Sequence, residues 1–124
     1  MFELKLNNKT IPLKWGTWSM REFCVANNIG IDKYFELLGK SQFDLDLVVR
    51  MIHIGYKSAC VSNKEAVEYT EDDVCDWLDE IGGVFDDKGS VIEYVKYIIS
   101  TTVITVQGNT PKSEKKKSSK VRVG

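Results

Sequence analysis

Residues 45 to 61 read LDLVVRMIHIGYKSACV, and no other stretch restricts the available folds as much. On a helical wheel of about 100° per residue, Asp46, Arg50, His53 and Lys57 fall in a strip about 60° wide. Leu45, Leu47, Val48, Val49, Met51, Ile52, Ile54 and Tyr56 fill most of the remaining circumference. A surface helix needs an apolar stripe only about 100° wide. This helix must therefore be central to the fold, or one side of it must meet a partner. Asp44 stands where an N-cap is expected.

The flanking segments supply the packing that such a helix requires. Phe2, Leu4 and Leu6 alternate with Glu3 and Lys5, and Ile11, Leu13 and Trp15 alternate with Pro12 and Lys14. Parted by Asn7-Asn8, the two runs predict a β-hairpin with one buried face and a tight primed turn, because asparagine tolerates positive φ. Pro12 has no N–H to give a ladder, so its strand is an edge or turns that position to solvent. A first helix follows to about Asn27, capped by Thr17 or Ser19, and Ser19 with Glu22 has capping-box spacing. Asp32 caps a short helix through Leu38, with Gly39 placed for a left-handed end. Beyond the polar connection from Ser62 to Tyr69, Thr70-Glu71-Asp72-Asp73 opens a fourth helix whose acidic first turn complements the helix dipole. Val74, Trp77, Leu78 and Ile81 form its core face. Ser90 and Glu93 repeat the capping-box spacing before a fifth helix from Val91 to about Val103, whose apolar arc spans roughly 240°. The β-prone run Thr101 to Val106 leaves open an earlier end in an extended segment. The predicted fold is α+β, a mainly helical small domain with an N-terminal β-hairpin packed on about five helices.

At 124 residues and 43% hydrophobic content, one domain suffices and can bury a core. The character of the chain changes near Val106. In residues 107–124, Lys112, Lys115, Lys116, Lys117, Lys120 and Arg122 stand against Glu114, a surplus of five positive charges that leaves minus six on residues 1–106 within the net charge of −1. Residues 1–106 are read as a globular body and 107–124 as a flexible, disordered basic tail. No apolar run approaches the roughly 18 residues of a membrane span. Met1-Phe2-Glu3 leads into a strand pattern without the landmarks of a secretion signal, so the expected compartment is cytoplasmic.

No catalytic, cofactor or metal site is expected. Asp72, Asp73, Asp76, Asp79 and Glu80 lack the ligand order of a calcium loop and read as an exposed acidic face. Asp86-Asp87-Lys88-Gly89 reads as a turn, and His53 as a solvated residue on a charged strip. Ser, His and Asp occur without a nucleophile elbow, and the glycines form no phosphate loop. Cys24, Cys60 and Cys75 are odd in number and widely spaced, which suits reduced core thiols. Trp15, Trp18 and Trp77 are assigned to the core. The tail has no aromatic residues among its lysines and belongs to an acidic chain, which weighs against nucleic acid as a partner.

In order, FELKLNNKTIPLKWGTWSMREFC, IDKYFELLG, FDLDLVVRMIHIGYKSA, YTEDDVCDWLDEIGG and IEYVKYIIS resemble the small tail assembly chaperones of long-tailed, siphovirus-like bacteriophages and their prophage relatives. The likeness covers about Phe2 to Thr102 and lies in segment order and hydrophobic spacing. It implies a non-enzymatic protein that binds the tape measure protein, keeps it soluble and helps recruit tail tube protein through a frameshift-extended form. It also implies action in the host cytoplasm and absence from the mature virion. Lys115, Lys116 and Lys117, which a run of A can encode, are the candidate frameshift site. Tyr94 and Tyr97, at one edge of the fifth helix's apolar arc, are the candidate partner contacts. Self-association stays open. Two other functions fit the same residues: a small virion structural protein, such as a connector or tail-completion protein, and a phage DNA-binding accessory protein using the basic tail.

Overall fold

A computed structural model of the chain describes residues 1–40, 44–86 and 88–109. The elements run β1 (Phe2–Lys5), β2 (Thr10–Leu13), α1 (Thr17–Asn27), α2 (Ile31–Lys40), α3 (Leu45–Asn63), α4 (Glu71–Glu80) and α5 (Ser90–Asn109). This is the expected α+β arrangement of a hairpin on five helices. Helix α3 is its axis. It is capped by Asp44, whose Oδ1 accepts from the Leu47 N–H at 2.9 Å, and it packs against β2, α1 and α4. Val48, Val49, Met51, Ile52, Ile54, Tyr56, Ala59 and Cys60 are all buried along it. Most of its wide apolar surface is thus consumed inside the domain.

The strands pair antiparallel, with Phe2 opposite Leu13, Glu3 opposite Pro12, Leu4 opposite Ile11 and Lys5 opposite Thr10. Alternation selects the buried face, where Leu4, Ile11, Leu13 and then Trp15 enter the core. Pro12 is tolerated because both strands of a two-stranded sheet are edges. The turn differs from expectation. Among the described non-glycine residues only Asn28 and Lys64 have positive φ, so Asn7-Asn8 is not a primed turn. The loop is closed locally by the Leu6 N–H donating to the Lys9 carbonyl at 2.9 Å, and the Asn7 N–H adds a tertiary bond to the Glu80 carboxylate at the end of α4.

Several helix ends also depart from the sequence pattern. Ser19 is not a cap: α1 starts after Gly16 with no side-chain cap, and the buried Ser19 hydroxyl donates to the Lys14 carbonyl at 2.8 Å, tying helix to strand. Gly39 lies within α2, which continues to Lys40. Ser90 is the first residue of α5 rather than half of a capping box. Asp86 caps the helix, accepting from the Ser90 N–H at 2.8 Å and its hydroxyl at 2.9 Å, while Glu93 pairs with Lys96. At its far end α5 stays helical to Asn109, with no extended segment between Thr101 and Val106. There the Thr101 hydroxyl bonds back to the Tyr97 and Ile98 carbonyls, and the buried Thr102 hydroxyl meets that of Tyr34 at 2.9 Å. Tertiary contact overrides a weak local preference. The helix takes in the first three residues of the predicted tail of 107–124, and the rest of that tail, 110–124, lies outside the described residues.

Gly55 sits in the middle of α3, where glycine costs about 1 kcal/mol relative to alanine. Its place is explained by what approaches it. The Lys14 N–H donates to the Gly55 carbonyl at 3.0 Å, and a Cβ there would lie 2.0 Å from the Tyr94 hydroxyl oxygen and 3.3 Å from Leu13 Cβ. Strand β2 and helix α5 therefore converge on the one α3 position without a side chain. Gly55→Ala is expected to destabilise the domain by about 1–3 kcal/mol through overpacking. In a Tyr94→Phe background, which removes the clashing oxygen, the same substitution should cost less. Urea denaturation of the four proteins in this cycle measures the coupling; an additive cycle would mean that the two residues do not oppose each other.

Candidate partner-binding groove

Helix α5 divides its wide apolar arc between two tasks. Val91, Tyr94 and Ile98 are buried against the body, while Val95 and Ile99 are only partly covered and Ile92 is 49% exposed. Beside this second face runs a groove of about 770 Å³. Its walls are α5, from Val91 to Ile99, and the head of α3, with Asp44, Leu47 and Val48. Leu37 of α2 and Val84-Phe85 of the α4–α5 connection complete it. Among the described residues that line it, all but Asp44 and Lys96 are apolar.

Phe85 is 87% exposed at the rim. Its connection is shaped by glycines with left-handed backbone: Gly82 at φ 103°, Gly83 at 99° and Gly89 at 66°. A side chain at those positions would be strained. The Gly83 N–H closes α4 by donating to the Leu78 carbonyl at 2.7 Å, and Asp86 fixes the start of α5. Between these two anchors the chain presents Phe85 outward. Periodicity could not find this residue, because Val84-Phe85 belongs to no helix or strand. The available signal was compositional: two apolar side chains between Gly-Gly and Asp-Asp-Lys-Gly, outside any periodic pattern; of the two, Val84 packs against the core and Phe85 is exposed.

The tyrosines proposed as partner contacts lie elsewhere. Tyr94 is 2% exposed, and its ring packs at 5.2 Å from Phe2 and 6.4 Å from Trp15. Its hydroxyl donates to the Met51 carbonyl at 2.8 Å, and burial pushes the phenol well above the ordinary tyrosine range, so it remains a donor. Tyr94 is a core residue, which corrects its assignment as a contact. Tyr97 is half-buried, stacks on Tyr94 and accepts the Trp15 N–H at 3.2 Å. Both cover the hairpin, whose apolar face must be packed by something. The groove belongs to Ile92, Val95 and Ile99 instead. Lys115, Lys116 and Lys117 lie outside the described residues.

Other side chains singled out in the sequence find structural places. His53 is half-buried, not solvated, and its Nε2 lies 2.8 Å from the Tyr69 carbonyl. The Tyr56 hydroxyl accepts from the Glu68 N–H at 2.8 Å, so the two rings pin the irregular segment before α4 onto α3. Trp15 and Trp77 are buried and Trp18 packs against the core. The Trp15 indole N–H donates to Tyr34 at 2.9 Å. Cys60 is buried and Cys24 half-buried, whereas Cys75 is exposed on the outer face of α4, where its neighbours are charged and no core thiol is needed. Asp72, Asp76, Asp79 and Glu80 are exposed, and Asp73 serves the capping box with Thr70. Among the described residues no group of three or more His, Cys, Asp or Glu is placed to hold a metal ion, and no helix is long and apolar enough to cross a membrane.

No protein family, curated protein or solved structure matches the chain. The groove therefore has to be judged on its own geometry. Phe85→Ser is expected to change stability by no more than about 0.5 kcal/mol, as for other surface substitutions. Tyr94→Ser should cost about 3–5 kcal/mol, the range for truncating a buried aromatic residue. Chemical denaturation of both variants distinguishes surface from core. A Phe85 variant as unstable as the Tyr94 one would show that the exposed ring is packed in solution.

Proposed function

We propose that the chain is a non-enzymatic tail assembly chaperone of a siphovirus-like phage or prophage, holding a helical stretch of the tape measure protein in the groove between α3 and α5. The observation that carries this reading is the open apolar groove with Phe85 standing 87% exposed at its edge. Soluble monomers rarely leave a contiguous apolar surface of this kind without a partner. An amphipathic helix laid in such a groove buries its own apolar face at the same time, which is what keeping a long helical protein soluble requires. The segment order that resembles the phage chaperones supports the same conclusion.

On this reading the protein acts in the host cytoplasm and is left out of the mature virion. The lysine run at Lys115 to Lys117 follows Asn109, the last residue of α5, so a change of reading frame there would keep all the elements described above and append a segment that recruits tail tube protein. The basic residues of the tail serve solubility or this extension, rather than nucleic acid.

Co-expression with the tape measure protein tests the proposal. The long partner should move to the soluble fraction and co-purify with the chain, and Phe85→Ser combined with Ile92→Ser should abolish that effect while the chain stays folded. A partner equally insoluble with and without the chain would refute it. The slippage component is settled by the codons: an uninterrupted run of A at Lys115 to Lys117, with an open overlapping frame and a longer product in cells, is the expected finding. Interrupted codons would remove that component and leave the groove reading intact.

A further inference from the structure

Among the described residues that line the groove, two are charged, and they belong to different helices. Asp44 is at the head of α3 and Lys96 is on α5. Asp44 is exposed, and its Oδ1 caps α3 by accepting from the Leu47 N–H. The Lys96 side chain is 69% exposed and lies 3.2 Å from Glu93. Such an exposed pair is weak enough to be exchanged for another partner. The rest of the described lining is apolar, and along α5 from Val91 to Ile99 it extends about 12 Å at 1.5 Å per residue, roughly two turns of a bound helix.

We propose that Asp44 and Lys96 select the bound helix by charge and fix its direction. The occupant is an amphipathic helix with an apolar ridge, flanked by Lys or Arg along the side that meets Asp44 and by Glu or Asp along the side that meets Lys96. Turning such a helix end for end exchanges its flanks and sets like charges together, so one direction is favoured. The apolar floor supplies most of the affinity and is indifferent to direction; the charges supply the discrimination. This inference rests on the groove being the binding surface and names the chemistry of the segment it accepts.

The probes are three designed helical peptides of about 21 residues, sharing one leucine ridge. Their flanks are lysine on both sides, glutamate on both sides, or one of each. Fluorescence anisotropy should show the mixed peptide binding the wild-type chain about two- to fivefold more tightly than either uniform peptide, the range for exposed charge pairs. Lys96→Glu should shift the preference to the all-lysine peptide. Asp44→Asn, which retains an N-cap, should bring the all-glutamate peptide level with the mixed one and leave the all-lysine peptide weakest. At about 0.5 M salt the preference should vanish while binding persists. The same ranking in all three proteins, or a preference that survives salt, overturns the charge rule. A nitroxide on the N-terminus of the mixed peptide should broaden amide signals at one end of the groove, Val91 or Ile99; equal broadening at both overturns the fixed direction. A stable dimer that the peptides do not dissociate would assign the groove to a second copy and also overturn the proposal. Peptides that obey the rule while the tape measure protein stays insoluble would refute the chaperone reading and leave the charge rule standing.

Discussion

The convergence of β2 and α5 on Gly55 of α3 is the constraint on which the rest of the fold depends. A helix apolar nearly all round can be buried only if other elements reach it from several sides, and two of those elements meet at its middle. Strand β2 comes close enough for Lys14 to bond the Gly55 carbonyl, and α5 close enough for the Tyr94 hydroxyl to occupy the space where a side chain would be. The small cost of glycine in a helix is offset by closer packing of strand and helix. Tyr94 then links α5 to α3 through the Met51 carbonyl and to the hairpin through Phe2, so one phenol connects three parts of the chain.

The architecture was legible where burial repeats with a period. The hairpin alternation at Leu4, Ile11 and Leu13, the central position of α3, and the caps at Asp44 and Thr70 are each written in local spacing, and each is found. Readings failed where a local motif competed with a tertiary contact. Ser19 has capping-box spacing with Glu22, yet its hydroxyl is taken by the Lys14 carbonyl. Ser90 has the same spacing with Glu93, yet Asp86 reaches α5 first. The threonines near the end of α5 favour strands in isolation, but Thr102 sits against Tyr34 in a buried site that only the assembled domain provides.

The candidate site was half legible for a related reason. A wheel shows how wide an apolar arc is, but not which part of it the body will cover. For α3 most of it is covered; for α5 the body takes the edge with Tyr94 and Tyr97, because the hairpin lies there, and leaves the edge with Ile92. The tyrosines were the natural choice for a surface that is sometimes wet, since each carries a polar tip on an apolar ring. Those tips are used inside the domain instead, where they satisfy the Met51 carbonyl and the Trp15 N–H.

This division explains how an apolar groove can remain open without weakening the fold. The residues that hold α5 in place, Tyr94, Ile98 and Thr102, face the body, whereas Ile92 and Phe85 sit at the rim. On the proposed reading, stability and recognition are carried by different faces of one helix. Substitution at the rim leaves the core packing unchanged, and a partner can be gained or lost without repacking the hydrogen-bonded tyrosines. The glycine-bracketed connection serves the same end, since Gly82, Gly83 and Gly89 let the backbone turn sharply enough to present Phe85 while α4 and α5 keep their anchors at Leu78 and Asp86.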